Sequence, residues 1–162
     1  MTDKVDRKNF TGPHQFSQLR MEGWISCAPF ERLLQMDIVE ASDGKSVLTM
    51  PFLIYLAQGA GLMHGGALVS LADTAVAMAI KSMVPQKSHF ATIALEAKYI
   101  APVRKGVVTA KAEIFSRQGR TWKGKAVVYD EDGRPVMEFM STFKMARDME
   151  MKSGVEFQEK GS

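Results

Sequence analysis

The stretch that most narrows the fold runs from Gly66 to Val84. It reads as one helix, stopped by Pro85, and it is apolar nearly all round. A helix without a polar face needs cover on nearly every side. A strongly curved antiparallel sheet wrapped about it provides that cover without a second helix layer, which is an α+β solution. The flanking patterns supply the strands. Asp37 to Ser42 and Lys45 to Pro51 alternate around Asp43-Gly44, a hairpin signal. Beyond Pro85 the period changes from helical to twofold. Ile93, Leu95, Ala97 and Tyr99 alternate with Thr92, Glu96 and Lys98, and Pro102 ends that strand. Val107 to Ser116, Thr121 to Tyr129 and Arg134 to Met145 follow, joined at Gly119 and Asp132-Gly133, so three long strands form an antiparallel meander. Pro29 opens a short helix whose apolar face is Phe30, Leu33 and Leu34, and a further short helix is expected around His14 to Met21.

Two features of the long helix point to chemistry. His64-Gly65-Gly66 opens it, so free backbone N–H groups meet the positive end of the helix dipole. Asp73 then sits among Leu71, Ala72, Ala75, Val76 and Met78, where a carboxylate is costly. An anion-binding end and a half-buried carboxylate together suggest acyl chemistry. The plain alternative for Asp73 is a core aspartate satisfied by neighbouring backbone or by Thr74.

Composition excludes several classes. With 162 residues, 46% apolar and 24% charged, the chain is an ordinary globule of one domain. A net charge of +3 is too weak to argue for nucleic acid. The single cysteine, Cys27, forms no intrachain disulfide and fits a reducing, cytoplasmic compartment. The first residues lack the apolar core of a signal peptide, and no run is long enough to span a membrane. His14, His64, His89 and Cys27 have no ligand spacing, so neither metal nor cofactor is expected.

The ordered motifs resemble a family. His64-Gly65-Gly66, Leu71-Ala72-Asp73-Thr74-Ala75, Tyr99-Ile100-Ala101-Pro102, Arg117-Gln118-Gly119-Arg120, Asp130-Glu131-Asp132-Gly133 and Ser141-Thr142-Phe143 follow one another between Pro29 and Met145. Together they resemble the hotdog-fold acyl-CoA thioesterases of the PaaI-like, phenylacetate-degradation branch. The resemblance implies a hotdog domain over residues 29–146, with an N-terminal extension (1–28) and a charged tail (147–162). It implies sheets joined edge to edge in a homodimer, with dimers pairing again into tetramers, and an acyl-CoA substrate.

It also implies roles. Asp73 is the catalytic acid, attacking the thioester carbonyl or deprotonating a water that does. The Gly65 amide binds the oxyanion, and Gly66 helps shape the approach. Gln58 contacts the thioester or orients water, although a bare reading makes it a solvated loop amide. Thr92 lies where relatives place a hydroxyl near the attacking water, against the simpler reading of a strand threonine. His64 shapes the turn rather than acting as base. Arg117 and Arg120, with Lys105, are candidates for the coenzyme A phosphates, though such residues are more often a solvated rim. Apolar residues of the 52–63 loop, such as Phe52, Tyr55 and Leu62, are candidates for the acyl pocket.

Geometry adds one demand. Gly66 and Asp73 are seven residues apart, or roughly 10 Å along a helix axis. One carbonyl cannot touch both within one chain, so the site is expected to be shared across the dimer. Two other classes share the fold. A non-catalytic acyl-CoA sensor needs a DNA-binding segment, for which residues 1–28 are short and unpatterned, and a hydratase or dehydratase needs an acid/base pair suited to Cα proton abstraction.

Overall fold

In the computed structural model, residues 20–147 and 156–157 are described. Chain order is β1 (Arg20–Met21), α1 (Pro29–Leu33), β2 (Asp37–Ser42), β3 (Lys45–Pro51), a 3₁₀ turn (Ile54–Leu56), α2 (Gly65–Lys81), β4 (Phe90–Tyr99), β5 (Val107–Gln118), β6 (Thr121–Tyr129), β7 (Pro135–Met145) and β8 (Glu156–Phe157). The main sheet has six strands in the order β2-β3-β5-β6-β7-β4, every neighbouring pair antiparallel. This is the expected α+β hotdog: α2 lies in the hollow of the sheet, with Leu71, Val76 and Ile80 fully buried against Leu48, Met50, Val108 and Val128.

Local chemistry explains the elements. The β2–β3 turn has Asp43 at φ 49° and Gly44 at φ 75°, the left-handed pair that a two-residue hairpin needs. Ser46, on β3, is buried and donates to the Ala75 carbonyl at 2.6 Å, tying sheet to helix. At Gly124 on β6 a Cβ would overlap Val76, so the missing side chain lets α2 lie close to the sheet.

Several expectations change. The helix ends at Lys81 rather than Val84. Ser82 caps it, and Pro85 disfavours helical backbone just before itself. In α1 only the capping residue Leu34 is buried, while Phe30 and Leu33 are more than half exposed, because one short turn lies on the surface. Arg20–Met21 forms a strand with Glu156–Phe157 instead of closing a helix, and the rest of the helix expected around His14 to Met21 lies outside the described residues.

The strand after α2 departs most. β5, β6 and β7 form the expected meander, and β4 lies outside it, pairing with β7 as an edge. A bulge at Ile93 also breaks its alternation: Thr92 lies opposite Phe143, and Leu95, Ala97 and Tyr99 lie opposite Ser141, Phe139 and Met137. Thr92 therefore shares the helix-facing side with Leu95, Ala97 and Tyr99, where simple alternation puts it on the other face. Ile93, Leu95 and Tyr99 remain about half exposed or more.

Candidate active site

α2 is not covered all round. Val69, Ser70, Asp73 and Ala77 form one partly open stripe along it, and Asp73 lies in its middle. The edge strand β4 runs beside that stripe. The Thr92 hydroxyl reaches both Asp73 carboxylate oxygens, at 3.1 and 2.9 Å. One hydroxyl proton is thus shared between two acceptors. This partner is neither the backbone nor Thr74 of the plain core reading. The bulge at Ile93 makes the contact, since it turns Thr92 toward the helix.

Burial pushes the Asp73 carboxyl above its ordinary range, and the bond from Thr92, which favours the charged form, offsets part of that rise. The result is a positioned carboxylate more basic than one in water. It faces a cleft of about 370 Å³ lined by Phe30, Glu31, Ser70, Ala77, Phe90, Thr92 and Phe143 among others. No residue of the 52–63 loop lines this cleft within one chain. Leu56 and Met63 are core residues, and Ile54 and Tyr55 face outward.

The helix N-terminus is built as a separate station. His64 caps α2, its Nδ1 accepting from the Gly66 N–H at 2.9 Å. Its role in shaping the turn is direct, and it leaves only one of the two glycine amides open. No hydrogen bond from the Gly65 N–H occurs among the described residues. A Cβ on Gly65 would lie 2.7 Å from the Tyr99 hydroxyl, so glycine here admits the tyrosine ring. Gln58 stands at this same end. Its side-chain carbonyl oxygen accepts from the Ala60 N–H inside its own loop. Along α2, Gly65 and Asp73 are separated by roughly 12 Å of helix rise. One chain therefore brings Thr92 to Asp73, and His64, Gly65 and Gly66 to each other with Gln58 held in the loop before them, but not the two groups together.

The basic candidates also divide. Arg117 stacks on Trp122, 4.2 Å from the ring centroid, and Arg120 donates to the Met145 carbonyl at 3.1 Å. Both stand at the β5–β6 turn, near the end of the sheet that carries Phe90. Lys105 is at the opposite end of β5, ion-paired to Glu131 at 3.3 Å. Sequence reasoning missed Tyr99 as a neighbour of Gly65, whose signal was its place on the strand, and Glu31, a single acid on a short surface helix with no pattern to mark it.

Comparison with known proteins agrees with this architecture. A model of the thioesterase superfamily matches residues 60–137. ComA2 of Bacillus subtilis, a candidate esterase, is 32% identical over 103 residues, covering 62% of this chain and 81% of that protein. A candidate esterase of Halobacterium salinarum is 36% identical over 93 residues, covering 54% of this chain, and the match spans only 60% of that relative's length. The solved Escherichia coli PaaI protein of the phenylacetic acid degradation operon superposes with a TM-score of 0.69 at 25% identity, over 75% of this chain and 87% of that one. On these matches, the chain belongs to the thioesterase superfamily, as a PaaI-like member with the hotdog fold.

Proposed function

We propose that the protein hydrolyses acyl-CoA thioesters to a free carboxylic acid and coenzyme A, with no metal or cofactor. The observation that carries this reading is the Asp73 carboxylate, made more basic by burial and clamped by Thr92 in a cleft of mixed apolar and polar lining. As general base, Asp73 takes a proton from water, whose oxygen adds to the thioester carbonyl. Collapse breaks the C–S bond, and the thiolate recovers the proton. As nucleophile, the carboxylate adds first, the C–S bond breaks to expel the coenzyme A thiolate, and water then cleaves the resulting anhydride, releasing the acid and supplying the thiolate's proton. In both routes the open Gly65 amide binds the oxyanion, which is typically worth roughly 3 kcal/mol of barrier, and Gln58 orients thioester or water.

The site is read as shared by two chains, Asp73 and Thr92 from one and Gly65, Gly66, His64 and Gln58 from the other. The separation along α2 supports this. So does the apolar edge strand β4, with Ile93, Leu95 and Tyr99 exposed beside an unpaired ladder. Arg117 and Arg120 at one sheet end and Lys105 at the other are the contacts read for coenzyme A, and pairing of dimers into tetramers follows the resemblance.

Asp73→Asn tests the reading. Asn keeps the volume but is neither base nor nucleophile, so thiol release from the best acyl-CoA of a panel should fall by on the order of 10²–10⁴. A folded Asn variant with near-native turnover would remove Asp73 from the mechanism.

A further inference from the structure

The cleft that holds Asp73 contains a second acid for which hydrolysis has no use. Glu31, on α1, lines it, and its Oε2 is buried with no hydrogen-bond partner among the described residues. A buried carboxylate oxygen without a donor is costly, and native structures rarely leave one so. The neighbouring cations are committed elsewhere. Arg32 pairs with Glu22 at 3.3 Å and donates from Nε to the Cys27 carbonyl at 3.1 Å. The Lys81 ammonium donates to the Trp24 carbonyl at 3.0 Å and lies over the Trp24 ring.

Glu31 also has a definite place in the cleft. Asp73, Ala77 and Lys81 succeed one another on one face of α2. Burial lowers the Lys81 pKa and the Glu31 charge partly restores it, whereas the Asp73 carboxyl responds to burial and Thr92. The Glu31 charge is thus felt at the Lys81 end of that face, and Glu31 lines the same cleft as Asp73. Phe90, Phe143 and Ala77 are the apolar part of the lining of the cleft that both acids share.

We propose that Glu31 is the specificity residue of the acyl pocket, accepting a hydrogen bond from a hydroxyl group at the end of the acyl chain remote from the thioester. The shared chemistry is a distal hydrogen-bond donor, which an alcohol or an ammonium can supply. The neutral hydroxyl is the donor proposed, and the ammonium is its alternative in the test. The proposal rests on the hydrolytic reading for the position of the carbonyl at Asp73.

The test uses matched CoA thioesters: butanoyl, hexanoyl, octanoyl and decanoyl, each with its ω-hydroxy and ω-amino counterpart. At one chain length the wild type should favour the ω-hydroxy member over the plain one in kcat/KM, on the order of tenfold or more. Glu31→Leu should erase or reverse that ratio, and Glu31→Gln should retain part of it. An equal ratio in wild type and a folded Glu31→Leu variant overturns the proposal, as does the absence of hydroxyl preference at every length. A stronger preference for the amine overturns the choice of a neutral donor. Calorimetric binding of non-hydrolysable thioether analogues of the same set runs in parallel. If no thioester is cleaved, the hydrolytic reading fails, and the wild-type to Glu31→Leu ratio of thioether affinities still decides the role of Glu31.

Discussion

Thr92→Val separates two uses of one hydroxyl. Valine keeps the β-branched shape on strand β4 and removes the donor to both Asp73 oxygens. Because a hydroxyl has one proton, the two contacts count as one shared bond. A hydrogen bond to a charged group contributes about 1.5–3 kcal/mol, and the cleft is open enough to solvent that the low end applies. That is about tenfold in the population of the ionised carboxylate. Thr92 lowers the Asp73 pKa against the rise that burial imposes, so its loss moves the pKa further up. A base that must be ionised then loses activity first at low pH. The acid limb of kcat/KM should shift to higher pH, with a loss of about tenfold on that limb and little change on the plateau. Thr92→Ser should keep the limb in place. The assay is thiol release across pH, with circular dichroism to confirm folding at each point. An unmoved limb with a fallen plateau would mean that Thr92 acts on water or substrate rather than through Asp73.

Two further outcomes are expected. Since the folded pKa of Asp73 lies above its unfolded value, its ionisation opposes folding at neutral pH, and this cost vanishes as pH falls below about 3.8, where both states are protonated. Asp73→Asn should therefore raise Tm at neutral pH while abolishing turnover, with the gain in Tm shrinking toward pH 3.8; a lower Tm at pH 7 would refute the sign. Co-expressed Asp73→Asn and Gly65→Pro chains should regain activity in about a quarter of sites, since about half the dimers are mixed and each carries one intact site. Gly65 is the first residue of α2, where proline is tolerated once the half-exposed Tyr99 ring yields, and verified mixed dimers without activity would place the whole site in one chain.

Much of this molecule was legible where a local rule had no competitor. The β2–β3 hairpin was readable from Asp43-Gly44, and the helix start from His64-Gly65-Gly66, because turn and cap chemistry is decided within a few residues. Asp73 was legible as an anomaly, a charge in an apolar helix. What escaped depends on tertiary placement. The crossing of β4 to the far side of β7 is set by how the sheet closes around α2, and no residue of β4 announces it. The bulge at Ile93 hides within a run that alternates cleanly on paper. Glu31 stands on a surface helix and becomes a cleft residue only because α1 and the stripe of α2 that contains Asp73 border the same cleft.

The bulge links these failures to the site. Without it, Thr92 would point away from α2 and Asp73 would lose its only hydrogen-bond donor among the described side chains. With it, Thr92 and the apolar side chains Leu95 and Tyr99 share one face, on a strand whose outer edge has no partner among the described residues. The carboxylate and the unpaired edge are consequently on the same flank of the molecule. Any strand that pairs with β4 also approaches the open stripe of α2, so edge pairing and closure of the cleft become a single event. On the two-chain reading, that coupling lets association deliver a Gly65 amide to an Asp73 carboxylate that its own helix holds roughly 12 Å away.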